Sequence, residues 1–219
     1  MTTNYSKAVA AEAVGTAFLL AAVVGSGIMA ERLAGGNVAI ALLANTMATG
    51  AALLCLILAL GRISGAHFNP VVTLAQGWSE GTTPARTAGY IAAQGIGALA
   101  GVAVAHLMFE QQSLFLASTH VRSGAAQALS EFVATFGLLL VIGGTGKTSP
   151  QFTPFAVASY ITAAYWFTAS TSFANPAVTV ARSLTDTFSG IRPVDVPVFV
   201  LAQLAGGLAG AWTARWLNR

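Results

Sequence analysis

Two copies of one short motif carry the residues of this chain that could act on a solute. The first copy reads NPVVTLA from Asn69, and the second reads NPAVTVA from Asn175. Proline at the first helical position favours a helix start, and the preceding asparagine can cap that helix. Each apolar run is too short to cross a bilayer, so the two are predicted to be half-membrane helices whose N-termini meet near the midplane. The predicted centre consists of Asn69, Pro70, Val71, Asn175, Pro176 and Ala177.

Such a centre favours neutral molecules over cations. Each helix N-terminus presents unpaired N–H groups and about half a positive charge, which disfavours cations and protons. The asparagine amides add N–H donors that can hold a passing water or hydroxyl by its oxygen. The irregular backbone before each asparagine, residues 65–68 and 171–174, is predicted to turn its carbonyl groups toward a water-filled pore, since lipid cannot satisfy them.

The composition places the chain in a membrane. Its 219 residues are 55% hydrophobic and 8% charged, and the mean hydropathy is +0.71. The apolar runs lack the alternating polarity of membrane β-strands, so the predicted fold is an all-α membrane protein with six transmembrane helices and two re-entrant half-helices. The predicted crossings are Ala8–Ala30, Val38–Gly61, Thr87–Phe109, Gly124–Gly146, Phe152–Phe173 and Val196–Ala214.

The charged residues are scattered singly along the chain. The net charge is +3, yet the ten lysines and arginines form no cluster, so we expect no nucleic-acid partner. Six of them fall on one side of the membrane if the N-terminus is inside, against four on the other. This asymmetry favours cytoplasmic positions for both termini.

The marker residues of the first half recur in the second. Glu12 and Glu131 are each followed four residues later by threonine, and AQGIGALAG from Ala93 is matched by AQLAGGLAG from Ala202. Each half holds three crossings, and an odd number inverts the second half relative to the first. We therefore expect one channel domain over residues 1–219, with repeats at about 1–110 and 124–219.

Three groups of ionisable residues lie within or next to the predicted helices, and two of the groups have more than one interpretation. Glu12 and Glu131 lie within membrane helices, where they could relay protons or accept hydrogen bonds from the backbone of the nearby half-helix loops. His106 and His120 are expected to be ordinary surface groups near a helix end and in a loop. Arg182 is expected in a wide outer vestibule screened by water, with snorkelling or pairing with Asp186 as the alternative.

The chain resembles the aquaporin, or major intrinsic protein, family over essentially its whole length. The resemblance rests on the helix spacing, both Asn-Pro motifs, the SGAHFNPVVT context from Ser64 and the paired glutamates. It implies a homotetramer with one pore per subunit, in which the glutamates accept hydrogen bonds from the half-helix loops. The pore-lining loop residues that we expect are Gly65, Ala66, His67, Phe173 and Ala174.

The expected selectivity filter departs from the family pattern. Water-selective and glycerol-selective relatives carry arginine directly after the second Asn-Pro-Ala, where this chain has Val178. Counting from the Asn-Pro motifs adds Thr49, Ala163 and Ser172, none of them aromatic or basic. The resemblance thus implies a wide filter that passes water, polyols, urea or metalloid hydroxides such as arsenous acid. With valine in place of arginine and the NPAVTVAR run that ends at Arg182, the chain also resembles bacterial aquaporins associated with arsenic resistance. This resemblance implies a bacterial inner membrane.

The predicted function is a passive channel for small uncharged solutes. We expect no enzymatic activity, no cofactor and no metal ion. An orthodox water-selective channel is the nearest alternative. A proton-coupled secondary transporter is another, because inverted repeats and broken helices also build transporters. A structural junction protein is a third.

Overall fold

The computed structural model describes residues 4–218, which form eight α-helices. Capping side chains set several of the helix starts, because Asn4, Asn37 and Thr83 each accept a hydrogen bond from the first turn that follows. The helices are α1 (Tyr5–Leu33), α2 (Val38–Ser64), α3 (Pro70–Glu80), α4 (Pro84–Met108), α5 (Ala125–Thr148), α6 (Thr153–Phe167), α7 (Pro176–Arg182) and α8 (Val196–Leu217).

Five of these helices are long and apolar enough to cross a membrane: α1, α2, α4, α5 and α8. The crossing predicted at Phe152–Phe173 is shorter than expected, since α6 has 15 residues and ends at Phe167. Thr168 is extended, and the chain beyond it folds into the pore instead of continuing the helix. A 3-10 turn over Pro150–Phe152 precedes α6. Together the two elements are about as long as the shortest helices that span a bilayer.

Close helix contacts at glycine hold each half together. A Cβ added to Gly97 of α4 would overlap the carbonyl oxygen of Ala13 on α1, and one added to Gly206 of α8 would overlap that of Phe132 on α5. The same contact recurs one turn further on in both halves, at Gly101 and Gly210. Small residues let helix backbones approach this closely in a membrane. The contacts α1–α4 and α5–α8 are the most extensive in the fold, and their equivalence confirms the inverted repeat.

The half-helices α3 and α7 lie inside this frame. Proline occupies the first position of each, and an asparagine caps each. The larger apolar side chains on the outer helix faces are exposed, with 64% of Phe18 and 60% of Trp212 accessible. An outward apolar surface of this kind fits a lipid environment.

Candidate functional site: a pore centred on two asparagines

Asn69 and Asn175 act as caps and also join the two halves. The Asn69 Oδ1 atom accepts from the N–H of Val71 at 2.9 Å, and the Asn175 Oδ1 atom accepts from the N–H of Ala177 at 3.0 Å. Each side-chain amide then donates across the pseudo-twofold axis. Nδ2 of Asn69 donates to the Ala174 carbonyl oxygen at 2.8 Å, and Nδ2 of Asn175 donates to that of Phe68 at 2.7 Å.

These crossed hydrogen bonds fix the orientation of both amides. A side-chain amide has two N–H donors, and the crossed bond uses one of them on each asparagine. Both asparagines line the same cavity, so the second N–H of each is placed to meet a solute there. The neighbouring residues of the predicted centre are buried behind the cavity wall and do not line it: Pro70, Val71, Pro176 and Ala177.

The two loops that lead into the half-helices have matching backbone conformations. In the first loop Gly65, Ala66 and Phe68 have φ values of 94°, 51° and 48°. The equivalent residues of the second loop are Thr171, Ser172 and Ala174, with φ values of 61°, 49° and 49°. Positive φ is unusual outside glycine, and for a β-branched threonine it is an outlier that the surroundings must enforce.

In the first loop, hydrogen bonds to the Glu12 carboxylate hold the backbone in this conformation. One of its carboxylate oxygens accepts from the Ser64 hydroxyl at 2.6 Å and the His67 N–H at 3.0 Å. The other accepts from the Phe68 N–H at 2.7 Å and the Gln94 amide at 2.8 Å. Glu12 is fully buried, so each acceptor position is occupied by protein.

Glu131 does the same in the second loop. It accepts from the N–H groups of Phe173 at 2.9 Å and Ala174 at 2.8 Å, and from the Gln203 amide at 2.6 Å. Gln203 also donates to Thr179 on α7 at 2.7 Å. These contacts match the alternative in which the buried glutamates accept hydrogen bonds from the half-helix loops.

One cavity extends from the α5 end near Gly146, past both asparagines, to Arg182 at the end of α7. Its volume is about 190 Å³ for the centres of water-sized molecules. Both irregular loops line it. The expected loop residues are all part of the wall: Gly65, Ala66, His67, Phe173 and Ala174.

The lining of the cavity differs from the expected filter at one position. Thr49, Ser172 and Val178 line the cavity, whereas Ala163 lies exposed on the outside of α6. Tyr165 takes its place on the wall and donates to the Thr49 hydroxyl at 3.3 Å. The placement of Ala163 at the cavity was therefore wrong, and an aromatic side chain lines the cavity near Thr49 instead. Counting back from Asn175 crosses irregular backbone, where helical spacing does not hold.

Arg182 is buried, not screened by water. Its side chain is 2% exposed, its Nε atom donates to the Ser189 carbonyl oxygen, and its guanidinium lies 3.4 Å from the centre of the Phe173 ring. The alternative partner Asp186 instead accepts from the N–H of Thr119 at 2.8 Å. That backbone hydrogen bond holds the pKa of Asp186 below its ordinary value. The open-vestibule expectation is wrong because the chain after α7 folds back over Arg182.

Sequence reasoning missed Arg122, which lies in the connection between the halves. Its Nε atom donates to the Gly190 carbonyl oxygen at 2.7 Å, and its Nη1 atom donates to the Ser170 carbonyl oxygen at 3.2 Å. Its guanidinium also lies 5.0 Å from the centre of the Phe173 ring. Arg122 thus braces the second loop, and no local sequence pattern singled it out.

The expectation that His106 is a surface group was also wrong. It is 2% exposed, and its ring nitrogens contact the Thr185 hydroxyl at 2.7 Å and the Ser113 carbonyl oxygen at 3.0 Å. It is therefore packed inside the fold at the C-terminal end of α4, because the chain after α7 covers that end. His120 is exposed as expected.

An inverted-repeat helical membrane protein with an asparagine-centred cavity is the class that this architecture defines. The model of the major intrinsic protein family matches residues 1–172. The aquaglyceroporin AqpS of Rhizobium meliloti (strain 1021) is 55% identical over 207 residues, with 94% of this chain and 88% of the relative covered. The probable aquaporin AqpM of Archaeoglobus fulgidus is 33% identical over the whole of both chains. This chain belongs to the major intrinsic protein family.

The fold has a counterpart among solved structures. The X-ray structure of the aquaglyceroporin from Plasmodium falciparum matches with a TM-score of 0.68 and 20% sequence identity. The match covers 99% of this chain and 96% of that one. The likeness concerns the arrangement of the helices, and it agrees with the aquaporin-like fold expected from the sequence.

Proposed function

We propose that this chain is a passive channel for water and small uncharged solutes such as glycerol. The observation that carries the proposal is the single cavity lined by both cap asparagines and both irregular loops. Loop carbonyls accept hydrogen bonds and asparagine amides donate them, so a neutral solute can exchange its hydration for protein contacts along the path. The family and its aquaglyceroporin members support this assignment.

The two glutamates argue against proton coupling. Their oxygens are engaged by backbone N–H groups, hydroxyls and side-chain amides of the loops they hold. A coupled transporter needs a titratable or ion-coordinating group at its central site, and the centre here presents neutral Asn69 and Asn175. Transport driven by the solute gradient alone is the expected behaviour.

The side chains that line the cavity favour solutes larger than water, and the two half-helix N-termini still disfavour cations. Val178 makes the cavity wall apolar at the position where most relatives are expected to have arginine. An apolar wall suits the carbon backbone of glycerol. Urea and arsenous acid, which are also small and uncharged, belong to the same proposed class. The Tyr165 ring, which the sequence analysis did not place here, is the observation that favours the water-selective alternative.

Stopped-flow light scattering on proteoliposomes decides among these functions. We expect fast osmotic shrinkage and a fast glycerol-driven re-swelling, both absent from protein-free liposomes. Re-swelling at the rate of protein-free liposomes together with fast water flow would establish the water-selective alternative. Accumulation of solute against its gradient under a proton gradient would establish a transporter. A folded protein with no permeability would favour the structural junction role.

We further propose a homotetramer in the bacterial inner membrane with both termini cytoplasmic and one pore in each chain. The proposal follows from the family resemblance and from the distribution of lysines and arginines, and it treats residues 1–219 as one channel domain. Native mass spectrometry in detergent should give four chains per particle. Protease access to tags at both ends of the chain, in membrane vesicles of known orientation, tests the topology.

A further inference from the structure

The Ser172 hydroxyl is a buried polar group that lacks a protein partner. Its side chain is 2% exposed, and no hydrogen-bond partner for its Oγ atom is found within residues 4–218. The residue lines the cavity, so a molecule in the cavity can reach it. Leaving a buried hydroxyl unpaired is unfavourable, so such groups normally bind water or a ligand.

The Arg182 guanidinium borders the same cavity. Its Nε atom is engaged by the Ser189 carbonyl oxygen, and its plane is held against Phe173, the residue that follows Ser172. Within the described part of the chain, the two terminal nitrogens make no hydrogen bond, which leaves their N–H donors for a solute. An arginine anchored at Nε and stacked on a ring loses little conformational entropy when it binds.

The rest of the lining near Arg182 and Ser172 includes one further polar group and one apolar side chain. Tyr165 donates its hydroxyl proton to Thr49, which leaves the Thr49 proton available to an oxygen in the cavity. Val178, 5% exposed, supplies an apolar surface between the two polar groups of α7 and its loop. A solute with oxygens on one edge and carbon on the other fits this lining.

We propose that Arg182 and Ser172 together form a subsite for uncharged polyols, which recognises two oxygens on neighbouring carbon atoms. Arg182 donates to one oxygen, and the Ser172 hydroxyl exchanges a hydrogen bond with the next. The positive charge that most relatives place at the position of Val178 is thus supplied in this chain from one helical turn further along. The inference rests on the proposed channel function and assigns its solute specificity.

The test compares glycerol with 1,3-propanediol, which lacks the middle hydroxyl. The measured quantity is the ratio of the two permeabilities in proteoliposomes, because a ratio is insensitive to the amount of protein. Losing one hydrogen bond of about 0.5–1.5 kcal/mol should lower the glycerol preference about two- to tenfold in both Ser172→Ala and Arg182→Met. The double variant should lose little more than either single one, since both groups hold the same solute.

Two controls distinguish a loss of polyol binding from a loss of folding or a change in cavity size. Ser172→Ala removes an unpaired hydroxyl, so its melting temperature in detergent should not fall, and the variant remains informative if Arg182→Met fails to fold. Val178→Ala changes the size of the cavity without touching its polar groups, so it should affect both solutes alike.

An unchanged ratio in folded Ser172→Ala would overturn the polyol subsite while leaving the channel intact. An equal fall of the ratio in Val178→Ala would also overturn it, since size alone would then explain the preference. A chloride flux that disappears in Arg182→Met with the ratio unchanged would show an anion site instead. If the unaltered protein passes neither solute, the channel proposal fails together with this one.

Discussion

The carboxylate of Glu131 offers a sharp test of how the second loop is held. Glu131→Gln keeps the size of the side chain but converts one acceptor oxygen into an NH2 donor. One oxygen accepts from Phe173 and the other from Ala174 and Gln203. Whichever oxygen is replaced, one backbone N–H of the loop then faces a donor.

The magnitude follows from these contacts. A buried N–H left without an acceptor costs about 1–3 kcal/mol, and the surviving loop bond loses the benefit of the charge, about 1 kcal/mol more. Gln203 does not add to the sum when the new NH2 group replaces the oxygen that faces Phe173, because Gln203 then keeps its hydrogen bonds to the other Glu131 oxygen and to Thr179. The native loop should therefore be destabilised by about 2–4 kcal/mol.

Amide hydrogen exchange measures this loss where it occurs. Exchange at Phe173 and Ala174 should accelerate on the order of thirty- to a thousand-fold if the loop opens locally, since about 1.4 kcal/mol corresponds to a factor of ten. Glu31→Gln, at an exposed position of α1, is the matched control and should leave both amides unchanged. Unaltered protection of both amides in Glu131→Gln would refute the role of the carboxylate as a loop anchor. Loss of a proton-coupled flux with protection intact would identify a relay instead.

Three further variants test other parts of the pore. Val178→Arg should slow glycerol more than water, because it narrows the cavity and adds a cation; equal losses in stopped-flow traces would place the filter elsewhere. Asn175→Asp should admit cations by putting a carboxylate at the centre. Unchanged ion conductance in planar bilayers would contradict that model. Gly206→Ala should lower thermal stability by about 1–3 kcal/mol through overlap with Phe132. Gly95→Ala is the control and should not lower the stability, because a Cβ at Gly95 meets open space. Similar melting temperatures of the two variants would show that the close contact between Gly206 and Phe132 does not matter for stability.

The sequence alone was enough for features that depend on local rules or on repetition. The helix starts at Pro70 and Pro176 follow from proline geometry and asparagine capping, and the structure has both. The inverted repeat follows from the order of matched markers and the odd number of crossings. The paired glutamates were recognised as either anchors or relays, and their contacts match the first alternative.

The tertiary structure decided which side chains the cavity meets. Each residue turns a helix by about 100°, so an error of one or two positions moves a side chain from the pore to the lipid. Spacing cannot be carried through residues 168–174, where α6 has ended and φ is positive at several positions. That is why Tyr165, and not Ala163, faces the pore.

The burial of Arg182 could not be predicted from the local sequence either. An arginine at the end of a seven-residue helix is ordinarily free to extend into water. Here the chain turns back, and the Ser189 carbonyl oxygen and the Phe173 ring enclose the guanidinium. Arg122 reaches the other end of the same loop from the connection between the halves. These contacts join residues that are distant in sequence, so no spacing rule predicts them and only the folded chain brings them together.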